Sequence, residues 1–182
     1  KIHTINHFSP FPKSNFEPNL KLESIFYAGN TGRPQNISSF INFFNEQFPQ
    51  NWKLELYGAG QEFESLSKFS KENININDYL PREDLEEKVK DIPYALICLD
   101  YEITIEGFPG KTFDYLNMNK ILINFSNPNS AVSKLIDKYE LGFNIDLKKP
   151  EKLETTLQQI NNHEKVNQTL NKFIKFFGSS FI

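Results

Sequence analysis

Tyr94-Ala95-Leu96-Ile97-Cys98-Leu99 is an unbroken apolar run. A strand with one wet face alternates polar and apolar side chains. A run without alternation belongs to a strand covered on both faces, as in a parallel sheet packed between helices. Shorter runs recur along the chain: Ser24-Ile25-Phe26-Tyr27-Ala28, Trp52-Lys53-Leu54-Glu55-Leu56-Tyr57, Ile74-Asn75-Ile76, Lys120-Ile121-Leu122-Ile123-Asn124 and Leu141-Gly142-Phe143-Asn144-Ile145. Between them apolar residues fall at helical spacing, most clearly Ile37, Phe40, Ile41, Phe44 and Phe48, and later Val132, Leu135, Ile136 and Tyr139. Phe63, Leu66 and Phe69 mark a further helix, and Pro81 is well placed in the first turn of another. The alternation predicts an α/β fold, a doubly wound parallel sheet of Rossmann-like type. Stripes at Leu153, Leu157, Ile160 and at Leu170, Phe173, Ile174, Phe177 predict two terminal helices over 150–163 and 166–177.

The chain has 182 residues, 38% of them hydrophobic, enough for one core of ordinary size. Its net charge is −3 and no basic block interrupts it, which argues against nucleic acid as a partner. Cys98 is the only cysteine and lies inside the apolar run, so it reads as a buried, inert thiol. Three scattered histidines, His7 among them, give no metal-ligand spacing. No run is long enough to predict a transmembrane segment. Residues 1–22, with Pro10, Pro12 and Pro18 between Phe8, Phe11 and Phe16, read as an extended connector. The first residue is Lys, and the sequence reads as a piece of a longer protein.

Ligands of doubly wound sheets bind at the carboxyl ends of the strands, near the switch in strand order. Three segments reach that edge. Gly29-Asn30-Thr31-Gly32-Arg33-Pro34 follows the first strand and fits neither a dinucleotide fingerprint nor a P-loop. Tyr79 and Leu80 follow the third strand. Glu106-Gly107-Phe108-Pro109-Gly110-Lys111-Thr112-Phe113-Asp114-Tyr115 follows the fourth, with Glu106 before a helix start and Asp114 about one turn inside it. Lys111 in that first turn opposes the helix dipole, a cost that a bound anion offsets.

The Glu106–Asp114 stretch resembles the Glu-x7-Glu signature of retaining glycosyltransferases with the GT-B fold, written here with Asp in second place. The run from Pro109 to Leu116 is similar to a variant in bacterial surface-polysaccharide enzymes, as is the Gly-Asn-x-Gly loop at Gly29. The resemblance covers roughly 22–147. It implies one half of a GT-B fold: a nucleotide-sugar-binding domain over 23–147, C-terminal helices over 148–182 packing on it, and an N-terminal domain carrying the acceptor site. It implies transfer of a sugar, with retention, from a nucleotide-diphosphate sugar of UDP or GDP type to a polysaccharide or lipid-linked acceptor, without cofactor or metal. Glu106 is then expected on the donor sugar and Asp114 on the ribose. Gly29, Arg33, Lys111 and the amides near Gly110 and Lys111 are expected on the diphosphate, Tyr79 and Leu80 at the base, and Asn30 among the other donor contacts. Phe108, Pro109 and Thr112 complete the expected donor contacts, with Glu106 and Lys111 as the catalytic pair.

The sequence departs from the family pattern where Asn30 and Gln35 replace the usual cations, leaving Arg33 as the nearby charge, and where Asp78 replaces a glycine. A glycosyltransferase-like binding or assembly module without turnover, and a GT-B nucleotide-sugar epimerase, are the alternatives. The resemblance further implies that the piece alone is inactive, and that the protein is cytoplasmic or peripheral at the inner face of the plasma membrane.

Overall fold

The computed structural model describes residues 14–17, 19–104, 107–146, 148–149 and 152–160. Six strands, β1 (Ser24–Asn30), β2 (Lys53–Ala59), β3 (Ile74–Asp78), β4 (Tyr94–Cys98), β5 (Ile121–Phe125) and β6 (Gly142–Ile145), form one sheet in the order β3-β2-β1-β4-β5-β6. Every pairing is parallel. The doubly wound fold expected from the alternation is the fold observed. The helices are α1 (Ile37–Gln47), α2 (Phe63–Leu66), α3 (Arg82–Val89), α4 (Lys111–Asn117), α5 (Ala131–Tyr139) and α6 (Leu153–Ile160).

Two apolar layers cover the sheet. On one face Ile25, Tyr27, Leu54, Tyr94, Leu96 and Ile123 pack under α1 and α6. On the other Phe26, Tyr57, Ala95, Ile97 and Leu122 meet side chains of α3, α4 and α5. The α1 layer is mainly aromatic: Phe40 meets Phe125 edge-on with ring centroids 5.2 Å apart, and Phe44 stacks on Phe48 at 4.9 Å. Such pairs add roughly 0.5–1.5 kcal/mol each beyond the area they bury.

Local chemistry sets the element ends. Ser130 caps α5 by accepting the Ser133 amide at 3.2 Å, and Glu140 in the left-handed conformation ends it. At Gly142, which opens β6, a Cβ would overlap the Leu122 carbonyl, so close strand approach demands glycine there.

Lys120 precedes β5 and is 1% exposed. Its ammonium donates to the carbonyls of Val89, Lys90 and Ile92 at 2.6, 2.9 and 2.8 Å. These carbonyls lie at and just beyond the C-terminal end of α3, where backbone acceptors lack helical partners and cations are favoured. Burial lowers the Lys120 pKa to about 8, with Asp91 and Glu86 opposing, so the group stays largely protonated at pH 7.

Several boundaries differ from expectation. β1 and β3 run two residues further, to Asn30 and Asp78, because backbone pairing of Gly29 and Asn30 with β2, and of Asn77 and Asp78 with β2, does not depend on side-chain polarity. The helix expected through Phe69 is one turn that tightens into a 3-10 turn over Ser67–Phe69. Pro81 stands just before α3 with ψ 154°, in extended rather than helical conformation. The described part of the first terminal helix is α6, anchored by the Tyr94 hydroxyl donating to the Ile160 carbonyl at 2.8 Å. The helix expected over 166–177 and most of the expected connector, His7 included, lie outside the described residues.

Candidate functional site

The site begins with a divergence between two strands. β1 pairs with β2 along its whole length but with β4 only at Ile25–Tyr94 and Phe26–Ala95. Beyond Phe26 the two strands separate, and these are the neighbours at which the strand order reverses. The unpaired edge of β1 needs other partners. Tyr115 of α4 supplies them: its hydroxyl accepts from the Ala28 amide at 2.9 Å and donates to the Ala28 carbonyl at 3.0 Å. Its ring meets Phe26 edge-on at 5.0 Å. Tyr115→Phe keeps the ring and removes both bonds, with an expected loss of about 1–2 kcal/mol in a urea denaturation curve.

Lys111 enters the same opening. It starts α4 on one face of the sheet, yet its Nζ sits 3.7 Å from the centroid of Tyr27, which belongs to the layer on the other face. The amine is sealed from solvent and has no hydrogen-bond partner among the described residues. Burial lowers its pKa to about 7, only partly opposed by Cys98. Gly29 makes room for it: a Cβ on that residue would stand 3.0 Å from Nζ, and its φ of 128° disfavours any side chain. The Tyr27 hydroxyl donates to the Asn30 carbonyl, and burial pushes its pKa up, so the ring beneath the amine stays neutral.

Beside this opening lies a pocket of about 200 Å³. Gly29, Tyr79, Leu80, Arg82, Lys111 and Asp114 are among the residues that line it. Tyr79 is 61% exposed, so its ring is accessible from solvent. Arg82, the first residue of α3, approaches Asp114 of α4 at 3.5 Å between Nη1 and Oδ1, with both side chains partly buried. Five of the residues singled out in the sequence, Gly29, Tyr79, Leu80, Lys111 and Asp114, therefore share one pocket. Arg82 was not singled out. The signal for it in the sequence is a cation at the first position of a helix, where the dipole disfavours it and an anionic partner offsets the cost.

The other expected residues are placed differently. Arg33 is exposed on a 3-10 turn, and neither it nor Asn30 lines this pocket. Thr112 is fully buried, so its side chain points into the packing rather than the pocket, while its amide bonds the Pro109 carbonyl at 2.9 Å. Phe108 packs edge-on to Phe113 at 5.6 Å, and Phe108, Pro109 and Gly110 do not line the pocket. The Phe113 amide bonds the Gly110 carbonyl at 3.3 Å. Glu106 lies outside the described residues. Cys98 is buried, and burial raises its thiol pKa, in keeping with the inert role expected of it. Among the described residues no cluster of His, Cys, Asp and Glu has the grouping of a metal site. No helix among them is long and apolar enough to cross a membrane.

Two loops at the mouth are tied together. The Asn36 side-chain amide donates to Asp100 at 3.0 Å, and the Asp100 amide bonds the Pro34 carbonyl at 2.8 Å. The loops after β1 and β4 are thereby held to each other across the divergence.

No protein-family model matches the sequence, and comparison with curated proteins gives no significant match. Solved structures do match. The C-terminal domain of a glycosyl transferase group 1 family protein, LpcC from Francisella tularensis, superposes with a TM-score of 0.61 at 13% identity, covering 95% of this chain and 97% of that one. The fold is that of a GT-B C-terminal domain. A TarM variant from S. aureus, in complex with fondaparinux, alpha-GlcNAc-glycerol and UDP, gives a TM-score of 0.70 at 14% identity over 99% of this chain. A crystal structure of TarM gives 0.63 at 14% identity over 93%. The chain spans about a third of those two structures, 36% and 33% of their lengths. The GT-B assignment accounts for the position of the divergence and its pocket, at the carboxyl edge where such sheets receive ligands.

Proposed function

We propose that this GT-B domain binds the donor of a glycosyltransferase, a nucleotide-diphosphate sugar of UDP or GDP type. The observation that carries the reading is that Gly29 of β1, Tyr79 and Leu80 after β3, and Lys111 and Asp114 of α4 line one pocket at the strand-order switch. In this reading Tyr79 and Leu80 meet the base, Asp114 accepts hydrogen bonds from the ribose hydroxyls, and Lys111 faces the diphosphate. A cation on the diphosphate stabilises the nucleotide as leaving group, an electrostatic contribution to transfer. Glu106 holds hydroxyls of the donor sugar, and the anomeric configuration is retained. The acceptor, a polysaccharide or lipid-linked glycan, meets the donor on a second domain, so turnover belongs to the whole protein. A cytoplasmic protein, peripheral at the inner face of the plasma membrane, fits that assignment.

The test is an NMR titration of the domain with UDP, GDP, ADP and the corresponding nucleotide sugars. Shifts are expected for one base, clustered on Gly29, Tyr79, Lys111 and Asp114. Asp114→Ala is expected to lower that affinity about tenfold, the equivalent of one charge-assisted hydrogen bond. Full affinity in that variant would remove Asp114 from the ribose, and no shifts with any nucleotide at millimolar concentration would overturn the donor-site reading.

A further inference from the structure

Of the three charged residues that line this pocket, Arg82, Lys111 and Asp114, Arg82 is the one that neither the sequence pattern nor the family resemblance singles out. Two elements far apart in the chain meet through it: the first residue of α3 reaches the fourth residue of α4. Its local position is unfavourable, since a cation at a helix N-terminus faces the positive end of the dipole. The pairing with Asp114 offsets that cost. Arg82 is 17% exposed at its side chain and Asp114 30%, so the pair is partly desolvated and its charges are felt more strongly than on an open surface.

The Nη1–Oδ1 separation is 3.5 Å, longer than the roughly 2.7–2.9 Å of a tight charge-assisted bond. The guanidinium therefore biases the direction of the carboxylate without gripping it in a short bond. Tyr79 and Leu80 stand three and two positions before Arg82 and line the same pocket. The segment that meets the base in the reading above thus also delivers the group that aims the ribose acceptor.

We propose that Arg82 is a positioning residue: it orients the Asp114 carboxylate toward the ribose hydroxyls and so makes this pocket select ribonucleotides over their 2′-deoxy counterparts. The proposal rests on the nucleotide reading of the pocket. It assigns no bond from Arg82 to the ligand.

The experiment is a calorimetric titration of the domain with UDP, GDP and ADP and with their 2′-deoxy forms, for wild type, Arg82→Gln, Arg82→Lys and Asp114→Asn. Wild type is expected to favour one ribonucleotide over its deoxy form at least about tenfold, the scale of a hydrogen bond to a charged acceptor. Arg82→Gln is expected to reduce that ratio to within about threefold, mainly by weakening the ribonucleotide, and Arg82→Lys to restore part of it. Combining Arg82→Gln with Asp114→Asn is expected to change the ratio no further than either substitution alone, because the two act through one carboxylate. A structural role alone would weaken both nucleotides equally and leave the ratio intact, and that result overturns the proposal while leaving the donor-site reading standing. Wild type that binds no nucleotide overturns both.

Discussion

Replacing Lys111 with Met is expected to stabilise the domain by about 1–3 kcal/mol while weakening nucleotide-sugar binding at least about tenfold. The two effects share one cause. The Lys111 amine is sealed from solvent without a hydrogen-bond partner among the described residues, and burial has lowered its pKa from 10.5 to about 7. Each unit of pKa change corresponds to about 1.4 kcal/mol of disfavoured charge. Contact with the Tyr27 ring recovers part of this, about 2 kcal/mol for a desolvated cation over an aromatic face. Met fills similar volume with no charge to desolvate. The sign with pH follows from proton binding. Between pH 7 and 10.5 the unfolded chain holds the Lys111 proton and the folded chain does not, so wild-type stability rises with pH across that window. The advantage of Lys111→Met is therefore largest at pH 7 and below, and shrinks toward pH 10. Urea denaturation at pH 6.5 and 9.5 measures it.

Binding should show the complementary dependence. A diphosphate favours the charged amine, so above pH 7 binding takes up a proton at Lys111, and affinity falls by up to about tenfold per pH unit. The phosphates of a nucleotide sugar do not titrate in this range, so the slope does not come from them. Lys111→Met is expected to bind weakly with no such slope. An unchanged slope in the variant would assign the proton to another group.

Lys120→Met should move stability in the opposite direction, with a loss of about 3–5 kcal/mol and a melting temperature about 10 °C lower. Lys120 is as deeply buried as the Lys111 amine, but its three N–H donors each meet a backbone carbonyl at the end of α3. Removing the amine leaves those acceptors without it in a place water does not readily reach. Two lysines of one chain, both with lowered pKa, thus differ in the sign of their contribution because one is satisfied by the fold and the other is not. Thermal melts of both variants in one buffer check the contrast. A stabilised Lys120→Met would contradict the account of its three bonds.

An amine left unsatisfied by the fold fits a residue whose partner arrives from outside. The same reasoning separates Lys111 from Arg33, which is exposed and retains its hydration in the free protein. The sequence treats both simply as cations near glycine loops. Their difference comes from where the opening between β1 and β4 lies.

Much of this architecture was legible in order and type. The unbroken run at Tyr94–Leu99 required a two-sided strand, and the helical spacing of Ile37, Phe40, Ile41 and Phe44 required a helix covering one face, because those periodicities are local properties of the backbone. Gly29, Tyr79, Leu80, Lys111 and Asp114 could be placed at the carboxyl edge for the same reason: each lies near the end of a strand, or follows one, that must run the same way as its neighbours. Thr112 is buried and Arg33 is exposed outside this pocket, because neighbours in the chain point in different directions once the local backbone is set. Arg82 beside Asp114, the Tyr115 hydroxyl on Ala28 and the amine of Lys111 over Tyr27 were decided only by the tertiary structure. The last two depend on β1 and β4 being neighbours that separate after two residue pairs, and the first on the packing of α3 beside α4, long-range results of strand order that local periodicity does not encode.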